Sequence, residues 1–478
     1  MLKKQDLNAK LLNAEYAVRG PIVQYAEELE RQGVKIIYCN IGNPQALKQR
    51  PLTFFRQVLS LVECPELLDK RTIAEIYPED VLERARYILE KHPHGTGAYT
   101  QSQGIRFIRE AVAEFIKKRD DIPANADRII LTDGASKAAQ AVLTALLKDP
   151  DDGFMIPIPQ YPLYSASLAL YGGKGIGYYI DEANGWRLGK KQLEESIQKA
   201  RKSGTNPVGI VVINPGNPTG AVLTRENIKM IVKFAKKHNL SIIADEVYQE
   251  NVYSDNSKFV SFAKVMHELH EKDIALFSLH SVSKGFLGEC GHRGGYLEIR
   301  NMADDVFREF IKLQSIGLCA NVPGQLATYL MVKPPEPGGQ SYPKYLEEKR
   351  GILGELACKA KILGEGIGQI KGMSLEIPQG AMYAFVRIEL PGSACKDARK
   401  TEMDYCLALL KETGICVVPG SGFGQLPGTL HFRITFLPPR RDIEILVRKL
   451  KSFHENYMSK AFKKRMNRRK PPVLREKR

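Results

Sequence analysis

The chain has 478 residues, 43% hydrophobic and 26% charged, a length and apolar content that predict a large buried core and exclude disorder. At roughly 150 residues per domain two or three domains are expected, and no apolar stretch approaches the roughly 18 residues of a membrane span. The net charge of +16 suggests a nucleic-acid partner until it is located: from Ser459 onward ten Lys or Arg face one acid, which leaves +7 for the rest, and the tail reads as a solvated extension, with an address signal or a contact for acidic surfaces as the alternatives.

The amino-terminal MLKKQDLNAKLLNAEYAVRG mixes acids and bases around no apolar core, so a cytoplasmic protein is expected, with an organelle as the alternative. From about residue 103 the pattern is βα. Ile105, Ile108, Val112 and Phe115 recur at helical spacing, ahead of a strand at 128–132 and an Ala- and Leu-rich helix at 135–147. Further strands are predicted at 153–158, 208–213, 240–244 and 274–279, β-rich runs without strict alternation, as parallel strands buried on both faces should be. Residues 224–238 read as a crossover helix, and the fold class is α/β with an open, mostly parallel sheet.

The run KPPEPGGQSYP at 333–343 breaks this pattern. Beyond it come a helix (346–368), a strand (380–388), a helix (402–413), strands at 415–419 and 429–437, and a helix (440–457). Across 429–437 apolar Leu430, Phe432, Ile434 and Phe436 alternate with His431, Arg433 and Thr435, which predicts a half-buried strand with Arg433 pointing away from the core. Eight cysteines include no C-x-x-C, and His267 and His270 miss the i, i+4 spacing of a helical zinc pair, so neither a disulfide framework nor a metal site is expected.

Unusual polar residues sit just past the strand ends, where open α/β sheets bind ligands. Asp133-Gly-Ala-Ser-Lys137 opens a helix and outlines a phosphate site, although Ser136 is equally a helix cap. Asn214-Pro-Gly-Asn-Pro-Thr-Gly220 is a rigid turn able to aim an amide. Asp245-Glu-Val-Tyr248 puts a carboxylate where burial demands a cation, unless Asp245 is a cap. His280-Ser-Val-Ser-Lys284 places a lysine among small residues, with Arg293 nearby; desolvation and that guanidinium would both favour a neutral, nucleophilic amine. An amine, a carboxylate, an amide, a phenol and an anion cradle suit one ligand, pyridoxal phosphate.

The ordered set D-G-A-S-K, P-x-Y, N-P-x-N-P-T-G, D-E-V-Y, S-x-S-K and R-G-G-Y resembles the fold-type I pyridoxal-phosphate aminotransferases, over about residues 40 to 437. Ile41-Gly-Asn-Pro-Gln45, Gly97-Ala-Tyr-Thr-Gln-Ser-Gln-Gly104 and Gly288-Glu-Cys-Gly-His-Arg293 are similar to the alanine aminotransferase branch. The resemblance implies a transaminase that moves the amino group of alanine to 2-oxoglutarate, with glutamate:glyoxylate transamination as the runner-up. It implies Lys284 as the Schiff-base lysine and proton carrier, Asp245 on the pyridinium nitrogen, Asn217 and Tyr248 on the ring oxygen, and Tyr161 on the ring face. Ala135, Ser136, Ser281, Ser283 and Arg293 match phosphate positions, though either of Ser281 and Ser283 could instead cap the following turn. Arg433, with Gly42 and Asn217, matches the grip on the substrate α-carboxylate. Tyr99 resembles a tyrosine that reaches the neighbouring subunit's phosphate, which implies a homodimer.

The implied organisation is an amino-terminal segment (1–75) joining the small domain and subunit contacts, a large cofactor domain (76–335), a small domain (336–458) and a basic tail (459–478). Three other readings fit less well. Ser281 to Lys284 and Ser254-Asp-Asn256 suggest a serine acyl-enzyme, but their order is wrong and no K-T-G exists. A DNA-binding regulator lacks room for a reading domain, and neither Gly172–Gly177 nor Gly364–Gly368 follows the dinucleotide pattern. No specific nucleic acid and no membrane partner is expected.

Overall fold

The computed structural model describes residues 1–16, 20–390 and 397–469, with side chains to residue 460. Its strands in chain order are β1 (Ile37–Tyr38), β2 (Ile129–Thr132), β3 (Asp152–Ile158), β4 (Lys174–Tyr179), β5 (Asn206–Ile213), β6 (Ser241–Asp245), β7 (Leu276–Ser281), β8 (Gly295–Arg300), β9 (Met373–Ser374), β10 (Tyr383–Ile388), β11 (Ile415–Cys416), β12 (Val418–Pro419) and β13 (His431–Thr435).

Strands β2 to β8 form one seven-stranded sheet in the order β2-β8-β7-β6-β5-β3-β4. Only β8 runs against its neighbours. Helices cover both faces, which is why the central strands are apolar on both sides. The helix Arg225–His238 shows how the sequence builds this layer: Thr224 caps it by accepting from Asn227 N at 3.2 Å, and Ile228, Ile231, Val232 and Ala235 form its buried stripe. Asn239 ends it in the left-handed region at φ 56°.

Strands β4 and β8 were not expected. In β4, KGIGYY, Gly175 and Gly177 dilute the β signal. A side chain at Gly177 would begin 2.9 Å from Ile158. Strand β8 follows a glycine-rich loop that masks where it starts.

The small unit packs the antiparallel sheet β12-β13-β10-β9 against helices Tyr342–Gly368, Ala398–Thr413 and Arg440–Arg469. The expected strand at 415–419 divides at Val417 between two sheets, because β11 pairs in parallel with β1 while β12 joins β13. Helix Pro21–Arg31 buries Ile22 and Ala26 in the small-unit core, whereas helices Thr53–Glu63 and Glu79–Lys91 pack Phe55, Val58, Leu82 and Ile88 with Val112 and Leu330 of the large unit. The break at 333–343 separates helices Val322–Val332 and Tyr342–Gly368.

The orientation expected for Arg433 is corrected by the structure. All five residues of β13 are buried, and Arg433 is 1% exposed. Alternation separates two faces correctly, with Phe432 and Ile434 in the small-unit core, but the second face is covered by the large unit instead of by water. Among the described side chains of the final helix, Phe453 and His454 are the last that are buried. That helix runs on to Arg469, and residues 470–478 of the basic tail lie outside the described residues. No helix among the described residues is long and apolar enough to cross a membrane.

Candidate active site

The carboxyl ends of the parallel strands converge on a cavity of about 450 Å³, within the usual range for small-molecule sites. Ala135 and Ser136 reach it from the helix after β2, Tyr161 from beyond β3, Asn217 from beyond β5, Asp245 and Tyr248 from β6, and Ser281, Ser283 and Lys284 from β7. Because β8 is reversed, Arg293 arrives at the same crest just before that strand begins. Gly42 and Arg433 close the cavity from the small-unit side. Tyr99 stands apart, 79% exposed and not among the lining residues. A larger cavity of about 700 Å³, between helices Glu79–Lys91 and Arg106–Asp120, holds none of these residues.

One end of the cavity is built for an anion. Gly134, at φ 78°, turns the chain from β2 into helix Ala135–Leu146, and a Cβ there would lie 2.6 Å from Arg293 Nη2. Gly134, not Ser136, occupies the cap position. Arg293 donates to Asp133 O at 3.1 Å, Cys290 O at 3.0 Å and Ser283 Oγ at 3.3 Å, so its hydrogen bonds go to neutral acceptors. Ser281 Oγ accepts from Ser283 N at 3.1 Å and donates to Gly294 O at 3.0 Å. Its hydroxyl therefore closes the local turn, the capping role left open by the sequence. A helix start beside a guanidinium paired with no carboxylate favours a phosphate.

At the centre, Asp245 is 5% exposed. Its Oδ2 accepts from the Tyr164 hydroxyl at 2.8 Å, while its buried Oδ1 has no partner among the described residues. Burial pushes this carboxyl up to about 6, against the opposing pull of the Tyr164 hydroxyl, the Val247 N–H and the Lys284 charge. Lys284 Nζ donates to Gly42 O at 2.9 Å and lies 5.9 Å over the Tyr248 ring. An orphaned, buried carboxylate oxygen calls for a cationic donor, and a protonated ring nitrogen fits it.

Opposite, the Arg433 guanidinium lies between the rings of Tyr383 and Phe423, at 4.2 and 4.6 Å. It donates to Asn217 Oδ1 at 3.3 Å and Asn40 O at 2.5 Å, and its buried Nε has no partner among the described residues. A buried arginine with an unused donor and no carboxylate bonded to it suits a carboxylate ligand.

Four residues at or behind the cavity wall were given no role by the sequence reading. Tyr164 is the donor to Asp245, and its position one helical turn beyond Tyr161 was the available signal. Tyr16 meets the Tyr161 hydroxyl at 2.8 Å. Tyr383 packs over Gly42 and Arg433, and Cys290 Sγ lies 3.2 Å from Ser283 O. Cys290 lies within the marked Gly288–Arg293 motif, whereas nothing local to the sequence marks Tyr16 or Tyr383.

The sequence profile of the aminotransferase class I and II family matches residues 71–450. The chain is 50% identical over 468 residues to a probable mitochondrial alanine aminotransferase of Dictyostelium discoideum, covering 94% of this chain and 88% of that relative. It is 42% identical over 465 residues to glutamate–glyoxylate aminotransferase 2 of Arabidopsis thaliana, covering 96% and 97%. Among solved structures, the alanine aminotransferase of Pyrococcus furiosus matches with a TM-score of 0.77 at 26% identity, covering 94% of this chain and 100% of that one. With this fold and this cavity, the chain belongs to the class I and II aminotransferases, fold-type I transaminases that work with pyridoxal phosphate.

Proposed function

We propose that the chain transfers the amino group of L-alanine to 2-oxoglutarate, forming pyruvate and L-glutamate in two half-reactions. The observation that carries this reading is the pairing, in one cavity, of a buried carboxylate oxygen lacking a cation with a buried guanidinium lacking an anion. Pyridoxal phosphate, when bound, supplies an electron sink for the substrate carbon. Asp245 holds its ring nitrogen, Asn217 and Tyr248 donate to its ring oxygen, and Tyr161 covers a ring face. Ala135, Ser136, Ser283 and Arg293 take the phosphate, with the Ser281 hydroxyl holding the turn that presents Ser283. Lys284, whose Nζ lies within the cavity at 2.9 Å from Gly42 O, anchors the cofactor and, once released, moves a proton at Nζ. Arg433, with Gly42 and Asn217, fixes the α-carboxylate through a planar fork.

Borohydride reduction of the yellow holoenzyme is expected to fix the cofactor on Lys284, and a label on another lysine would remove this assignment. Alanine as the donor is supported by the Dictyostelium relative's name. The Arabidopsis relative supports glutamate:glyoxylate transamination as a second reading. Donors tested against pyruvate, glyoxylate and 2-oxoglutarate separate the two: the highest kcat/KM is expected for alanine with 2-oxoglutarate, and a preference for glyoxylate would replace the first reading.

The active unit is a homodimer in this reading, Tyr99 serving the neighbouring site; its exposure and its place outside its own cavity support this. Light scattering should give twice the chain mass. A cytoplasmic address rests on the amino-terminal composition alone, and cell fractionation tests it.

A further inference from the structure

We infer that His431 is a positioning residue for Arg433: a doubly protonated ring that bridges the large and small units and fixes the strand from which Arg433 reaches the substrate, an inference that rests on the reading of Arg433 given above. His431 and Arg433 stand two residues apart on β13 and therefore share a face. On the neighbouring strand they pair with Arg387 and Phe385.

The hydrogen bonds determine the protonation. His431 is 1% exposed. Its Nε2 lies 3.1 and 3.2 Å from the two carboxylate oxygens of Glu182, a residue of the large unit just beyond β4. Its Nδ1 lies 2.9 Å from Gln425 Oε1. The amide of Gln425 cannot be turned round, because its Nε2 already donates to Glu402 Oε1 at 2.6 Å and Thr429 O at 2.9 Å. Both ring nitrogens thus face acceptors, and a neutral imidazole has one N–H to offer. Only the imidazolium satisfies both; a neutral ring would set lone pair against lone pair.

The surroundings suit the cation. The ring lies flat on Phe385, at 4.6 Å and 9°, with Trp186 tilted at 6.3 Å. The charged groups facing it are Glu182, Arg387, which shares Glu182 at 3.3 Å, and Glu402, which accepts from His431 N at 2.7 Å.

The same contacts lead to Arg433. Phe385 meets Phe423 edge to face at 6.0 Å, and Phe423 backs the guanidinium. Glu402 also holds Ser421 N at 2.7 Å, and Phe423 O accepts from Gln160 N at 2.7 Å. The loop under Arg433 is therefore pinned from both units, and the imidazolium is the link whose charge holds Glu182 and Gln425 together.

Nitrogen NMR on the holoenzyme at neutral pH, with His431→Phe identifying the signal, should show both ring nitrogens of His431 protonated. In steady-state kinetics, His431→Phe, which keeps the ring stack but loses both donors, should raise KM for alanine and 2-oxoglutarate alike by about tenfold, while kcat changes by less than about twofold. Glu182→Gln keeps an acceptor without its charge and should give a smaller shift in the same direction.

A singly protonated ring, or a KM unmoved by His431→Phe while Arg433→Leu raises it, would overturn the inference and leave the role of Arg433 standing. If Arg433→Leu itself leaves KM unchanged, the reading of Arg433 fails, and this inference with it. Should His431→Phe not fold, Glu182→Gln decides: an unchanged KM overturns the inference.

Discussion

The hydroxyl of Tyr383 fills the space where a side chain on residue 42 would begin: a Cβ at Gly42 would lie 1.8 Å from that oxygen and 3.2 Å from Lys284 Nζ. Glycine at this position lets a phenol from β10 and an amine from beyond β7 approach the same backbone carbonyl. Gly42→Ala must push one of them aside, and overpacking of this kind costs about 1–3 kcal/mol. The expected result is a loss of kcat/KM of roughly ten- to a hundredfold, with part restored by adding Tyr383→Phe, which removes the nearest atom. Full activity in Gly42→Ala would show that the loop carrying it yields freely.

Cofactor affinity should depend on pH through Asp245. Its carboxyl titrates at about 6 in the protein, and only the ionised form holds a protonated ring nitrogen. Binding of pyridoxal phosphate to the apoprotein, followed by fluorescence across roughly pH 5 to 8, should weaken as the pH falls below that value. Tyr164 donates to the ionised form, so Tyr164→Phe raises the carboxyl further and moves the weakening upward by about one pH unit. Superimposable profiles would show that Tyr164 does not tune this carboxylate.

The same shift carries a stability cost in the apoprotein. The folded-state value of about 6 lies above the ordinary 3.8, so the contribution of Asp245 to stability is fully present below about pH 4 and is lost as pH rises through about 6. At pH 7 apo Asp245→Asn should therefore be more stable than the native apoprotein, by up to about 3 kcal/mol in urea unfolding. The same variant should lose transamination. Equal unfolding midpoints at pH 7 would count against a buried, ionised Asp245.

Phe453 and His454 are the last buried side chains among the described residues of the final helix. Deleting residues 459–478 should leave both the thermal midpoint and turnover unchanged, since Ser459 and Lys460, the first residues removed, are exposed. A large loss in either would give the basic extension a structural or catalytic part.

The strand ends were legible in the sequence because buried parallel strands are dense β-rich runs and their polar termini stand out against them. Less legible was anything dependent on what covers a surface. Alternation on β13 separated Arg433 from Phe432 and Ile434, but it carries no information on whether the second face meets water or another unit, so a buried guanidinium was taken for an outward one. Strand β4 was hidden by its glycines. Tyr164 and Tyr383 act through single hydroxyls and ring faces, and an isolated tyrosine in a helix or strand is most simply read as packing.

Reversal of β8 has a mechanical consequence. Ser281 and Gly295 are paired neighbours, so the loop bearing Lys284 and Arg293 is stapled to the sheet at both feet. Its amine and guanidinium thus hang from the large sheet, and Lys284 reaches across the cavity to Gly42 O. Arg433 comes from a different sheet, so the span from carboxylate clamp to reacting amine is set by how β13 is held against this loop.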